Sequence, residues 1–175
     1  MAILGRSSPL WLGGTGRVAW IVSAFLHEGI PRKALAAYKF SNRVGLAELM
    51  AARMAESLAD VPLSGSIVPI PSHPLRSRLK GFEPTATLAL QLAGLLPELD
   101  LATESLRRRD LGGQRGRTRL QRLSNPPQFS SRRVSGDILL VDDVVTTGAT
   151  LKAAARAVYS AGAGRVRAVT FARES

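Results

Sequence analysis

Two adjacent carboxylates, Asp142 and Asp143, are followed almost at once by Thr146, Thr147, Gly148, Ala149 and Thr150. That order of residue types describes an anion site with an acidic neighbour. The hydroxyls of Thr146, Thr147 and Thr150 can donate hydrogen bonds, and Gly148 lets a ligand approach the main chain closely. A helix beginning here would aim its free N–H groups, and the positive end of its dipole, into the turn. The carboxylates would stand beside that site, where they suit the hydroxyls of a sugar with a hard cation nearby. A sugar 5-phosphate satisfies both halves, with its phosphate in the turn and its ribose diol on Asp142 and Asp143.

The flanking residues supply the elements such a site needs. Ile138, Leu139, Leu140 and Val141 form an apolar run that reads as a buried parallel strand. After the turn, Leu151, Ala154, Ala155, Val158 and Tyr159 recur at i, i+3, i+4, i+7 and i+8, one face of a helix. Three other phosphate-handling patterns fit less well. A Walker B segment also ends in acids, but no G-x-x-x-x-G-K-[ST] occurs in the sequence. A receiver domain has its acidic pair near the start, whereas only residues 144–175 follow here. Gly13-Gly14-Thr15-Gly16 lacks the spacing and the preceding strand of a dinucleotide-binding fingerprint.

A length of 175 residues, 45% apolar and 21% charged, suggests one domain able to bury a core. The absence of cysteine excludes disulfides and thiolate metal sites. The first 14 residues lack the long apolar core of a signal peptide, and no run approaches a membrane span. A cytoplasmic protein with no membrane partner is expected. The net charge of +11 is uneven: residues 104–133 hold nine arginines against Glu104 and Asp110, a local +7. Such a cluster implies a polyanionic ligand, whether pyrophosphate, nucleotide or nucleic acid.

Along the chain, Thr15 is placed to cap a first helix carrying Val18, Ala19, Val22, Phe25 and Leu26 on one face, stopped by Gly29 and Pro31. Further helices are expected from Pro31 to about Tyr38 and from about Asn42 to Leu58. Residues 66–70 read as a short strand that Pro69 pushes toward an edge or a strand end. The turn Pro71-Ser72-His73-Pro74 follows it, at the sheet edge where ligands bind. Glu83-Pro84 opens a helix with Leu88, Leu92 and Leu95 inward. Residues 99–103 suggest a strand, and Phe129 and Val134 suggest short strands before residue 138. Between them, residues 107–128 break all periodicity, with Gly112, Gly113, Gly116 and seven arginines up to Arg122, and read as a flexible basic loop. Val166, Ala168, Thr170 and Phe171 make a final strand.

The stretch from Ile138 to Thr150 resembles the phosphoribosyl-pyrophosphate (PRPP) motif of type I phosphoribosyltransferases. Val68-Pro69-Ile70-Pro71-Ser72-His73-Pro74 leading to Lys80-Gly81-Phe82, and the spacing Gln114, Arg122, Asn125, Phe129, resemble segments of the ComF/GntX group within it. The likeness covers about residues 30–173. Lys80 stands where Arg is usual and Glu83 where Asn is usual, and the group's N-terminal zinc ribbon is missing, which leaves residues 1–30 as a helix or hood element of open role.

The resemblance implies an α/β type I phosphoribosyltransferase fold, a mainly parallel sheet flanked by helices with a small hood, in a single domain over residues 1–175. It implies transfer of ribose 5-phosphate from PRPP to an unidentified acceptor, with pyrophosphate released. Asp142 and Asp143 would be catalytic, and with Thr146, Thr147, Gly148, Ala149 and Thr150 would bind PRPP. Pro71, Ser72 and His73 would form the pyrophosphate loop. Arg115, Arg117, Arg119 and Arg122 would act from the flexible loop, closing as a lid. Mg2+ would ride on substrate oxygens, with no direct protein ligation expected. Lys39, after an aromatic residue, is a further candidate for phosphate contact. The resemblance also admits a homodimer, and a rival reading: a PRPP-sensing or DNA-binding accessory protein of competence, gripping single- or double-stranded DNA by its phosphates.

Overall fold

The structure, a computed structural model, describes residues 10–41, 44–72, 81–109 and 127–175. Its elements in chain order are β1 (Leu10–Thr15), β2 (Val18–Leu26), α1 (Gly29–Ser41), α2 (Val44–Glu56), β3 (Gly65–Pro69), α3 (Pro84–Leu95), β4 (Leu99–Leu101), β5 (Leu106–Arg108), β6 (Phe129–Ser131), β7 (Ile138–Val145), α4 (Ala149–Ser160) and β8 (Val166–Arg173). Six strands form one sheet in the order β1-β2-β8-β7-β3-β4, and β5 and β6 form a separate hairpin. All neighbours in the large sheet run parallel except β1 and β2. The fold is thus α/β, a mostly parallel sheet with helices on both faces, consistent with a type I phosphoribosyltransferase fold.

Strand pleating decides which side chains meet which helices. Leu139 and Val141 of β7 join Ile67 of β3 and Val169 and Phe171 of β8 on one face. That face is covered by Leu35 and Tyr38 of α1, Met50 and Met54 of α2, and Leu88 and Leu92 of α3. Ile138 and Leu140, one residue out of phase, turn to the other face and meet Leu151, Ala154, Ala155 and Val158 of α4. Met50, Met54, Leu88 and Leu92 are fully buried, each worth roughly 1.5–3 kcal/mol over an exposed position. The sheet's lower edge is tied by Arg167, which donates to Asp137 Oδ2 at 3.1 Å and to Pro62 O at 3.0 Å. Gly65 opens β3 there at φ +96°, with so little room that an added Cβ would lie 2.0 Å from Asp137 O.

The expected first helix is instead the β1–β2 hairpin, turning at Gly16 with φ +62°. The run Val18–Leu26 satisfies a helical period, but it is rich in β-branched and aromatic residues, and pairing with β8 decides the outcome. Buried Ser23 and Thr170 seal that pairing with a 2.7 Å bond between their hydroxyls. Pro69 ends its strand, as one of the two expectations had it, but β3 lies inside the sheet. Ser66 and Ile70 donate to Asp137 O and Val141 O of the β7 side. Pro69 therefore faces the β4 side, where pairing has already ended at Ile67 and Leu101, and its missing N–H leaves no gap. Leu95 is not inward: it is 49% exposed at the last turn of α3. Val134 lies outside any strand, and β7 continues four residues beyond Val141.

Candidate functional site

Because β7 continues to Val145, Asp142 and Asp143 sit within a strand at the carboxyl edge of the sheet, and the pleat points them apart. Asp143 faces α1, where Lys39 Nζ lies 2.7 Å from its Oδ2. Asp142 turns toward the following loop and lines a small recess of about 30 Å³ with Thr146, Gly148, Ala149 and Thr150. The two carboxylates are also linked, since the Asp143 N–H donates to Asp142 Oδ1 at 2.8 Å.

The turn itself offers main-chain N–H donors. Gly148 is the N-cap of α4 at φ +71°, a conformation that suits glycine, and it has no side chain with which to cap the helix. The Ala149 N–H reaches Thr147 Oγ1 only at a long 3.4 Å, and the helical ladder begins with Lys152 N–H to Gly148 O at 2.9 Å. The first amides of a 12-residue helix therefore converge on the recess with weak competition. The β1–β2 turn leans on the same place: a Cβ on Gly148 would lie 3.6 Å from Thr15 Cγ2.

Next to β7, the end of β3 brings Pro71 and Ser72 to the same edge, because Pro69 pairs with Val141. Here Thr85 Oγ1 donates to Ile70 O at 2.6 Å, and Glu83 Oε1 accepts from the Ser72 N–H at 3.1 Å. Tyr38, fully buried on α1, donates from its hydroxyl to Pro84 O at 2.7 Å and packs edge-on against Phe82 at 5.8 Å. One residue on, Lys39 meets Asp143. The pair Tyr38-Lys39 thus fastens α1 to both the start of α3 and the acidic pair.

Charge is concentrated at this edge. Burial, and then the Asp143 charge, raise the Asp142 carboxyl from 3.8 to about 8; the Asp143 N–H, Lys39 and Arg108 pull it the other way. Arg108 belongs to β5, so the hairpin that leads into residues 110–126 lies within electrostatic reach of the acidic pair. Burial is also the main cause that lifts the Tyr38 phenol to about 12, which keeps it a neutral donor.

The structure therefore brings Asp142, Asp143, Thr146, Thr147, Gly148, Ala149 and Thr150 to one edge, with Pro71 and Ser72 on the adjoining strand end. His73, Arg115, Arg117, Arg119 and Arg122 lie outside the described residues. Three contacts at this edge have no local signal in the sequence. Lys39 is a candidate for phosphate contact, but nothing near it in the chain signals its ion pair to Asp143. Glu83 stands out in the sequence only as a departure from a pattern, and Arg108 is one arginine among nine. A larger, open depression of about 1040 Å³ lies away from this edge, between β6 and the outer side of α4, with Arg109, Arg133 and Arg156 around it.

Residues 80–175, just over half of the chain, match the family model of the phosphoribosyl transferase domain. A search of curated proteins finds no match.

Proposed function

The chain belongs to the phosphoribosyl transferase domain family, and on that premise we propose that it binds PRPP and transfers its 5-phosphoribosyl group to an acceptor, releasing pyrophosphate. The observation that carries this reading is the juxtaposition of a helix N-terminus opened by Gly148 with the acidic pair on the preceding strand. The 5-phosphate sits on the amides and hydroxyls of residues 146–150. Asp142 and Asp143 accept hydrogen bonds from the ribose diol and favour the positive charge that develops on the ring as the bond at C1 breaks. Holding the sugar at both ends fixes C1 toward the incoming acceptor. The leaving pyrophosphate lies toward Pro71 and Ser72, with His73 and Arg115, Arg117, Arg119 and Arg122 as further candidates.

Members of this family are typically magnesium-dependent. Among the described residues no three His, Cys, Asp or Glu side chains cluster as a metal cage. Two carboxylates, one already paired with Lys39, suit a small hard cation that takes most of its ligands from substrate oxygens and water. Mg2+ bound there would neutralise charge on the pyrophosphate while riding on substrate oxygens and water, with no direct protein ligation.

Membership of the ComF/GntX group is part of this proposal and rests on the segments around residues 68–82 and 114–129. A second reading, a DNA-binding accessory protein, draws support from the +11 charge and from Arg109, Arg133 and Arg156 around the open depression. Calorimetry with PRPP and Mg2+ tests the first reading. Asp142→Asn with Asp143→Asn should weaken binding about 100-fold or more, and equal affinity would sink the site assignment. A pyrophosphate-release screen over adenine, guanine, hypoxanthine, xanthine, uracil and orotate then looks for the acceptor. We expect no fast turnover with any of these free bases, because Lys80 and Glu83 depart from the usual residues of their segment. Silence across the screen and no PRPP binding, with tight salt-sensitive DNA binding, would favour the second reading.

A further inference from the structure

Glu83 departs from the usual residue of its segment, and its contacts give that departure a meaning. As N-cap of α3 it would ordinarily turn its side chain onto the first amides of its own helix. It does not: α3 has Pro84 at its first turn, and Glu83 makes no side-chain cap bond. Its carboxylate instead reaches back eleven residues, and Oε1 accepts the Ser72 N–H at 3.1 Å. Thr85 Oγ1 lies 3.1 Å from the same oxygen and donates at 2.6 Å to Ile70 O, so the carboxylate is held by the segment it contacts. Phe82, the residue before it, is packed against Tyr38. Glu83 is partly buried and therefore not free to leave for water at no cost.

The Ser72 N–H is a main-chain donor at the carboxyl edge of the sheet, three residues past the end of the strand next to the acidic pair. A carboxylate oxygen on that donor has the charge and hydrogen-bonding character of a phosphate oxygen. We propose that Glu83 is an internal anion that occupies the pyrophosphate position of the β3 strand end, so that pyrophosphate must displace it to bind. This rests on the reading that the β3 end receives the pyrophosphate half of PRPP. The consequence is selective. Glu83 weakens the grip on pyrophosphate, both as a leaving group and as a free product, and leaves the 5-phosphate turn at residues 146–150 untouched. An enzyme so built releases pyrophosphate readily and runs poorly in reverse.

The test is calorimetric titration of inorganic pyrophosphate with Mg2+ into wild type, Glu83→Gln and Glu83→Ala, with ribose 5-phosphate as the parallel ligand. Glutamine keeps an acceptor for the Ser72 N–H and removes only the charge. Alanine removes both and serves if the glutamine variant does not fold. Pyrophosphate should bind about tenfold tighter to Glu83→Gln, while ribose 5-phosphate affinity stays within about twofold. In wild type, added pyrophosphate should shift the Ser72 amide in ¹H–¹⁵N spectra. Unchanged or weaker pyrophosphate binding in both variants, with ribose 5-phosphate binding intact, would overturn the proposal and make Glu83 a brace for the strand end. Failure of wild type to bind ribose 5-phosphate would overturn the phosphoribosyl reading beneath it.

Discussion

Replacing Lys39 with Met removes a cation from the acidic pair while keeping most of the side-chain volume. The Nζ–Oδ2 separation is 2.7 Å, with the lysine side chain 28% and the aspartate side chain 12% exposed. At an effective dielectric constant near 20 the bare attraction is about 6 kcal/mol. Much of that is offset by the desolvation of both groups, and breaking a buried pair from one side typically costs about 3–5 kcal/mol. Partial exposure of the lysine places the expected loss lower, at about 2 kcal/mol near pH 6. The loss must then grow with pH. Burial and the Asp143 charge push the Asp142 carboxyl up to about 8, so the pair gains negative charge as pH rises toward that value, and Lys39 is the stronger of the two cations that soften it. At pH 9 the deficit should reach about 3 kcal/mol. Urea unfolding of wild type and Lys39→Met at both pH values reads this directly, and a cycle with Asp143→Asn isolates the pair. A deficit below about 0.5 kcal/mol, or one that shrinks as pH rises, would refute the reasoning.

Asp142 alone makes stability fall with pH: its carboxyl is raised from 3.8 to about 8 in the fold, so the native state binds more protons between those values and loses stability as pH rises through them. Asp142→Asn should flatten that slope and stabilise the protein by about 1–3 kcal/mol at pH 9, as measured by urea unfolding. The same group should release a proton when PRPP and Mg2+ bind near pH 7, seen as different apparent enthalpies in buffers of unlike ionisation heat; identical enthalpies would mean that Asp142 is already ionised or takes no part. Tyr38→Phe leaves Pro84 O without its 2.7 Å donor and should cost about 1–3 kcal/mol in denaturant titration. Gly65→Ala would force a Cβ to 2.0 Å from Asp137 O at φ +96°, a backbone clash expected to cost more than about 3 kcal/mol or to prevent folding; a variant with unchanged melting temperature would show the sheet edge to be soft.

The framework of the candidate site was legible where it is written in consecutive residues. Strand, acids, turn and helix between Ile138 and Ser160 are each specified within a few positions, and the helix start needs only Gly148 and the residues after it. What could not be read were partners set by topology. Lys39 and Asp143 are 104 positions apart, and only the packing of α1 over the edge of β7 joins them. The same holds for the β1–β2 hairpin. Its apolar run fits two periods at once, and the tie is broken by β8, whose sequence lies some 140 residues further on. Pro69 stands between the two cases. Its position at a strand end was readable from proline chemistry, but the location of that strand inside the sheet depends on how far β4 extends.

The place of β8 has a further consequence, for how the protein comes to be made. It is the last described strand, yet it sits between β2 and β7. As the chain leaves the ribosome, β2 and β1 can pair with each other, and β3, β4 and β7 can gather with their helices, but the two parts have no common strand until residues 166–173 emerge. Until then each presents an unpaired edge of apolar residues, the condition under which chains stick to one another. Closure by an insertion rather than an addition also makes the decisive contacts non-local, which slows folding to the millisecond-to-second range. Nascent chains stalled before residue 166 should therefore be protease-sensitive and bound by holdase chaperones, and chains extended past Arg173 should lose both properties together. Protection acquired well before β8 appears would show that the first seven strands already form a stable unit.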